Sequence, residues 1–221
     1  RIWTAPPGTS LMMSVLLRPP PAALAVQKAS LVTSALAVAT VKGVLETMQI
    51  TLGIKWPNDL VVDNATDIPG DPGYRKVAGI LTETLIDDGS ISALVVGMGL
   101  NTGWGQVPPE LELVATSLDL LTRSSVDRPS LALKILQNFE NEYAHLLEST
   151  GSEQLLREVR HRSSTLGRRV RVHFDNSKET PTLEGHAVDL TENGQLVVQT
   201  DRGDLQTVSG ADVEHLRLDA R

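Results

Sequence analysis

The run Gly53-Ile54-Lys55-Trp56-Pro57-Asn58-Asp59-Leu60 sets a lysine beside a bulky aromatic, followed by a proline and two turn-forming polar residues. Pro57 cannot donate to a sheet ladder, and it biases Trp56 towards an extended backbone. Asn58 and Asp59 carry side chains that satisfy backbone groups in a turn. Lys55 is therefore expected at a strand end, held by a stiff turn, with its ammonium aimed into a site. A compact fixed cation of this kind draws negatively charged reactants together and stabilises charge that develops between them.

Other chemistry-bearing residues are sparser. Asn101 ends an apolar run in which Gly97 and Gly99 lack side chains, so a ligand could lie against the backbone there. Gly79 interrupts a second apolar run and suggests close approach of another group. No glycine-rich loop leads into a helix, so neither a P-loop nor a dinucleotide fold is supported. The histidines (145, 161, 173, 186 and 215) are scattered without an i, i+4 pair, and no zinc site or other protein metal ligand is expected. No Ser-His-Asp order or carboxylate pair stands out for hydrolysis. With no cysteine, disulfides, thiolate metal sites and a cysteine nucleophile are excluded, which fits a reducing cytoplasm.

The elements that must position these residues follow from periodicity. Residues 9–18 read as a largely buried strand, stopped by Pro19, Pro20 and Pro21. Leu31, Ala35, Val38, Val41, Leu45 and Met48 recur at steps of three and four, which predicts a long helix, and Val32, Leu36 and Ala39 give it a second apolar face. Strands are expected near 50–55, 60–63, 76–85 and 91–99, with a long, polar, mobile loop over 63–74. Asp127 and Pro129 introduce a helix that carries Ile135, Phe139, Tyr143 and Leu146, and another helix covers 152–162. From about residue 165 the pattern becomes that of a small β-barrel, with a hairpin turn at Asn193-Gly194.

The 221 residues suffice for one sizeable core plus a small second domain, and the 41% hydrophobic content is ordinary for a globular protein. The net charge of −7 argues against broad contact with nucleic-acid backbone, which needs clustered Lys and Arg. No apolar run approaches the roughly 20 residues needed to cross a bilayer, so no membrane role is expected.

Lys55-Trp56-Pro57-Asn58-Asp59 resembles the signature of the biotin protein ligases. Arg1 to Leu11, Lys76 to Glu83, Gly97 to Asn101, Ala115 to Leu118 and Val208 to Val213 are similar to further segments of that family, in its order. The resemblance implies an α+β fold: a mixed sheet with helices, related to the class II aminoacyl-tRNA synthetases, over residues 1–163, then an SH3-like barrel over 164–221. It implies a ligase that activates biotin with ATP and Mg²⁺ to biotinyl-5′-AMP. The biotinyl group would then pass to a lysine of a carboxylase carrier domain docked partly by strand-edge pairing.

By the same resemblance Lys55 is the catalytic cation touching biotin carboxylate and α-phosphate, and Gly79 and Ile80 line the biotin pocket. Arg1, Trp3, Asn58, Lys76 and Asn101 join Lys55 in binding ATP, with the Trp3 indole stacking on adenine. Trp56, Pro57 and Asn58 orient Lys55. A cytoplasmic protein that forms a homodimer through sheet edges also fits the family. The family's Ser-Thr-Asn segment and Gly-Arg-Gly-Arg loop would precede Arg1, so the sequence reads as N-terminally incomplete. Two other readings stand beside this one: a lipoate-type ligase of the same chemistry, and a biotin-sensing repressor core or non-catalytic binding module.

Overall fold

The computed structural model describes residues 5–20, 23–63, 66, 68, 71–174 and 182–216. Its first sheet contains β1 (Ser10–Leu17), β2 (Gly53–Lys55), β3 (Asp59–Asp63), β4 (Tyr74–Asp87) and β5 (Ser90–Asn101), all antiparallel, in the order β1-β5-β4-β3-β2. Strands β2 to β5 run as a meander. β1 pairs on the far side of β5, with Ser10 opposite Asn101.

Between β1 and β2 the chain crosses the sheet as α1 (Leu31–Met48). Beneath it, after the short α2 (Leu118–Thr122), lie α3 (Arg128–Leu146) and α4 (Gly151–His161). Covered by the sheet above and by helices below, α1 buries Leu31, Val32, Ala35, Leu36, Val38, Ala39 and Val41. That position explains its two apolar faces. The helical run Val26–Met48 is long and apolar enough, by length and composition, to cross a membrane, with a mean hydropathy of 1.4. This corrects the expectation that no run approaches that length. Most of it is buried inside the fold, so its apolarity is that of a core helix.

The other face of the sheet is open. Met12 and Leu16 of β1 are 62% and 58% exposed, so β1 is a half-covered edge strand and not the buried strand expected. Its alternate residues Leu11, Met13, Val15 and Leu17 pack on the core. Asp127 caps α3 as its sequence implied, its carboxylate accepting from the Ser130 amide at 3.2 Å.

A second antiparallel sheet holds β6 (Arg169–His173), β7 (Leu183–Leu190), β8 (Leu196–Gln199), β9 (Leu205–Val208) and β10 (Asp212–His215), in the order β10-β6-β7-β8-β9. It forms the small SH3-like unit, and its inward residues Val170, Val172, Leu196 and Val198 are fully buried. The segment leading into it, Arg162 to Thr165, lies along β2. The Ile54 amide donates to the Arg162 carbonyl at 2.8 Å, and the Ser164 amide to the Ile54 carbonyl at 2.9 Å. A side chain at Gly53 would begin 1.9 Å from Ser164 Oγ, so a larger residue there would force the Ser164 hydroxyl to turn away.

Candidate active site

Lys55 closes β2 and is 3% exposed, yet it lines a cleft. The turn after it is anchored at both ends. The Trp56 amide donates to Thr165 Oγ1 at 3.0 Å, and the indole Nε1 to the Gly194 carbonyl at 2.9 Å. The Asn58 side-chain amide donates to the Ile80 carbonyl at 2.6 Å while the Ile80 amide returns a bond to the Asn58 carbonyl at 2.9 Å. Lys55 is thus presented by a turn fixed to β4 on one side and to the C-terminal unit on the other.

The cleft, about 700 Å³, is lined by Lys55, Asp59, Tyr74, Lys76, Asn101 and Trp104, with Asp212 and Glu214 reaching in from β10. The Lys55 ammonium lies 5.4 Å from the centroid of the Tyr74 ring, a cation–π arrangement. Lys76 Nζ pairs with Asp59 Oδ1 at 2.6 Å. Burial, reinforced by Asp59, Asp212 and Glu214, pushes the Tyr74 phenol up to about 12, so its ring stays neutral and electron-rich. Asn101 is 3% exposed, its amide donating to the Thr116 carbonyl at 3.1 Å and its Oδ1 accepting from Ser10 Oγ at 3.4 Å.

A second pocket of about 540 Å³ lies over the open face of the sheet, lined by Met12, Ser14, Asn58, Lys76, Gly79, Ile80, Gly97 and Gly99. Gly79 and Gly99 face each other in register, which leaves a trough floored by backbone. Lys76 lines both spaces. The structure therefore gathers Lys55, Lys76 and Asn101 at the polar cleft, and Gly79, Ile80 and Asn58 at the trough. Asn58 sits away from Asn101, its amide turned to the backbone. Arg1 and Trp3 lie outside the described residues.

Sequence reasoning missed Tyr74, Trp104, Thr165 and His215. Trp104 lies three residues after Asn101, past the end of β5, where its amide donates to Asp119 Oδ1 at 3.2 Å. That closeness in sequence was the available signal. His215, brought to the site from the far end of the chain, carried none.

The chain matches two family models: the biotin/lipoate A/B protein ligase family over residues 1–101, and the biotin protein ligase C-terminal domain over residues 165–216. The chain belongs to the biotin protein ligase family. It is 29% identical over 217 residues to the bifunctional ligase/repressor BirA of Bacillus subtilis, covering 97% of this chain and 61% of that protein. It is 33% identical over 166 residues to the biotin–[acetyl-CoA-carboxylase] ligase of Mycobacterium tuberculosis, covering 75% of this chain and 53% of that one. The chain thus spans between half and two thirds of the length of these family relatives. The fold is shared with the Aquifex aeolicus biotin protein ligase solved in complex with biotin and ATP, with a TM-score of 0.74 at 23% identity over 94% of this chain and 79% of that one.

Proposed function

We propose that this chain carries the ligase activity of its family: biotin and Mg·ATP give biotinyl-5′-AMP and pyrophosphate, and a carrier-domain lysine then takes the biotinyl group. The observation that carries this reading is Lys55, fixed in the wall of a polar cleft, with Lys76 bordering both that cleft and the glycine-floored trough.

In the first step a biotin carboxylate oxygen attacks the α-phosphorus, and pyrophosphate leaves with the bonding electron pair. Both reactants are anionic. Lys55 lowers their repulsion and stabilises the negative charge that grows on the α-phosphate oxygens. Gly79 and Gly99 let the biotin rings lie on the strand backbone, with Ile80 beside them. Lys76 and Asn101 contact the nucleotide. Arg1, Trp3 and Asn58 complete the proposed ATP contacts by family resemblance alone. In the second step the carrier's ε-amine attacks the acyl carbon, AMP departs, and the amine proton leaves to phosphate or solvent.

Among the described residues no group of three or more His, Asp or Glu is placed to hold a metal ion. The Mg²⁺ would arrive with the substrate as Mg·ATP, held chiefly by phosphate oxygens and water. The proposed division is a ligase domain over 1–163 and the SH3-like domain over 164–221. Among the described residues, β4 beyond Ile80 is paired only with β5, and that edge is where the carrier or a second copy would add a strand. A cytoplasmic location fits the chemistry, and the net charge of −7 supports no nucleic-acid role for these residues.

The test is biotin-dependent ATP–pyrophosphate exchange by the full-length protein, with lipoate run in parallel. Exchange with biotin alone supports the ligase. Exchange with lipoate alone moves the assignment to a lipoate ligase, and none with either acid leaves a binding or sensory role.

A further inference from the structure

The cluster around His215 is not used by the reaction as just described, and it joins the C-terminal unit to the lysine. His215 ends the described part of β10 and is 6% exposed. Its ring stands near-perpendicular to that of Tyr74, with centroids 5.0 Å apart at 68°. The same Tyr74 ring has the Lys55 ammonium over it, 5.4 Å from its centroid. His215 Nε2 is also 3.3 Å from Thr165 Oγ1, the same oxygen that accepts from the Trp56 amide. Two separate paths therefore run from His215 to the residues at the catalytic turn.

We propose that His215 is a positioning residue for Lys55: it fixes the plane of Tyr74, and Tyr74 fixes the ammonium. This rests on the ligase reading for its consequence in catalysis, though not for its geometry. Thr165 Oγ1 already accepts one bond, so its own proton is available to Nε2, and the neutral imidazole meets that need. The Nδ1 atom is buried without a hydrogen-bond partner, an arrangement that costs stability. An aliphatic side chain would fill this strand position without that cost. What an aliphatic residue lacks is a flat edge to hold a second ring.

The mechanical argument is one of freedom. A lysine side chain has four rotatable bonds, so its ammonium samples many positions unless neighbours hold it. A tyrosine ring has only two torsions, and one wedged by a perpendicular neighbour has a single plane to offer. Removing the wedge leaves Lys55 charged and present but less often in place. A misplacement of about 1 Å in a reacting group costs up to about a hundredfold in rate.

The experiment compares His215→Leu and His215→Phe in the full-length protein, each checked for folding by circular dichroism. Leu fills the volume without a ring; Phe restores an edge against Tyr74 but cannot accept from Thr165. In His215→Leu, kcat for biotin-dependent exchange is expected to fall about ten- to a hundredfold with little change in KM for biotin. His215→Phe should recover most of the loss. A second readout needs no activity. With lysine labelled at Cε, the Lys55 resonance, identified by its disappearance in Lys55→Arg, carries an upfield ring-current shift from Tyr74. That shift should vanish in the Leu variant and persist in the Phe variant.

Folded Leu and Phe variants with wild-type kcat and an unmoved Lys55 resonance overturn the proposal, as does an equal loss in both. If the wild type shows no exchange, the ligase reading fails by itself and the resonance alone decides the positioning role.

Discussion

Lys76 Nζ and Asp59 Oδ1 are 2.6 Å apart where the polar cleft meets the glycine trough. The pair sets an ammonium beside the space assigned to the triphosphate, with a carboxylate that competes for it. The two partners should therefore act on ATP with opposite sign. Lys76→Met removes a charge-assisted contact and should raise the KM for ATP about tenfold. Asp59→Asn removes the competitor and should lower that KM about twofold, in line with the small worth of a part-exposed pair. Steady-state kinetics at low salt measure both, and changes of the same sign would remove Lys76 from the nucleotide site.

Lys55→Ala should reduce biotin-dependent pyrophosphate exchange by at least about a hundredfold, the scale on which a preorganised charge stabilises a transition state. Thermal unfolding should change little, because β2 keeps its bonds to Arg162 and Ser164. Near-normal exchange by this variant would end the mechanism proposed for Lys55.

Acid stability carries a separate signature. Burial, then the charges of Lys55 and Arg168, pull the His215 imidazole from 6.5 down to about 3. Above pH 6.5 the ring is neutral in both folded and unfolded chains and adds no slope. Below it the unfolded chain gains a proton that the folded chain refuses, so stability falls by about 1.4 kcal/mol per pH unit. Asp71, which Arg75 and Thr66 hold well below the usual carboxylate range, stabilises the fold above its ordinary value of 3.8 and adds its own loss only below that. Urea unfolding at neutral pH and at about pH 5.5 should show the wild type losing more stability than His215→Phe. Equal losses would remove His215 as the source.

At the β7–β8 turn, Gly194 has φ of 77°, and a side chain there would begin 2.9 Å from Leu31 Cδ2. Gly194→Val adds backbone strain to a clash with α1 and should cost about 2–4 kcal/mol. Trp56→Phe loses the indole bond to the Gly194 carbonyl and part of a buried ring, and should cost about 1–2 kcal/mol. Denaturant midpoints separate the two, and equal costs would mean that the turn does not bear on α1.

Much of this was legible in the chain. The Pro57 turn implied a lysine at a strand end, the spacing from Leu31 to Met48 gave α1, and Asn193-Gly194 gave the β7–β8 turn. What stayed hidden depends on neighbours far away in sequence. Met12 and Leu16 alternate with the core residues of β1 whether or not their own face is covered, so apolarity alone misjudged them. The bond from the Asn58 side-chain amide to the Ile80 carbonyl could not be read from the sequence, because Ile80 lies on another strand. Tyr74, Thr165 and His215 become site residues only once the second sheet folds back on the first.

The approach of Arg162–Thr165 to β2 changes what a deletion means for this protein. A break between residues 163 and 164 looks on paper like a cut through a spacer, sparing each half. In the molecule it removes the Ser164 amide that donates to the Ile54 carbonyl and the hydroxyl that receives the Trp56 amide. A truncated or transplanted first half would carry every residue assigned to activation and still lack the outer wall of the strand that presents Lys55. Chimeras between members of this family would do better to exchange 162–165 together with β2 than to join the two units at their apparent seam.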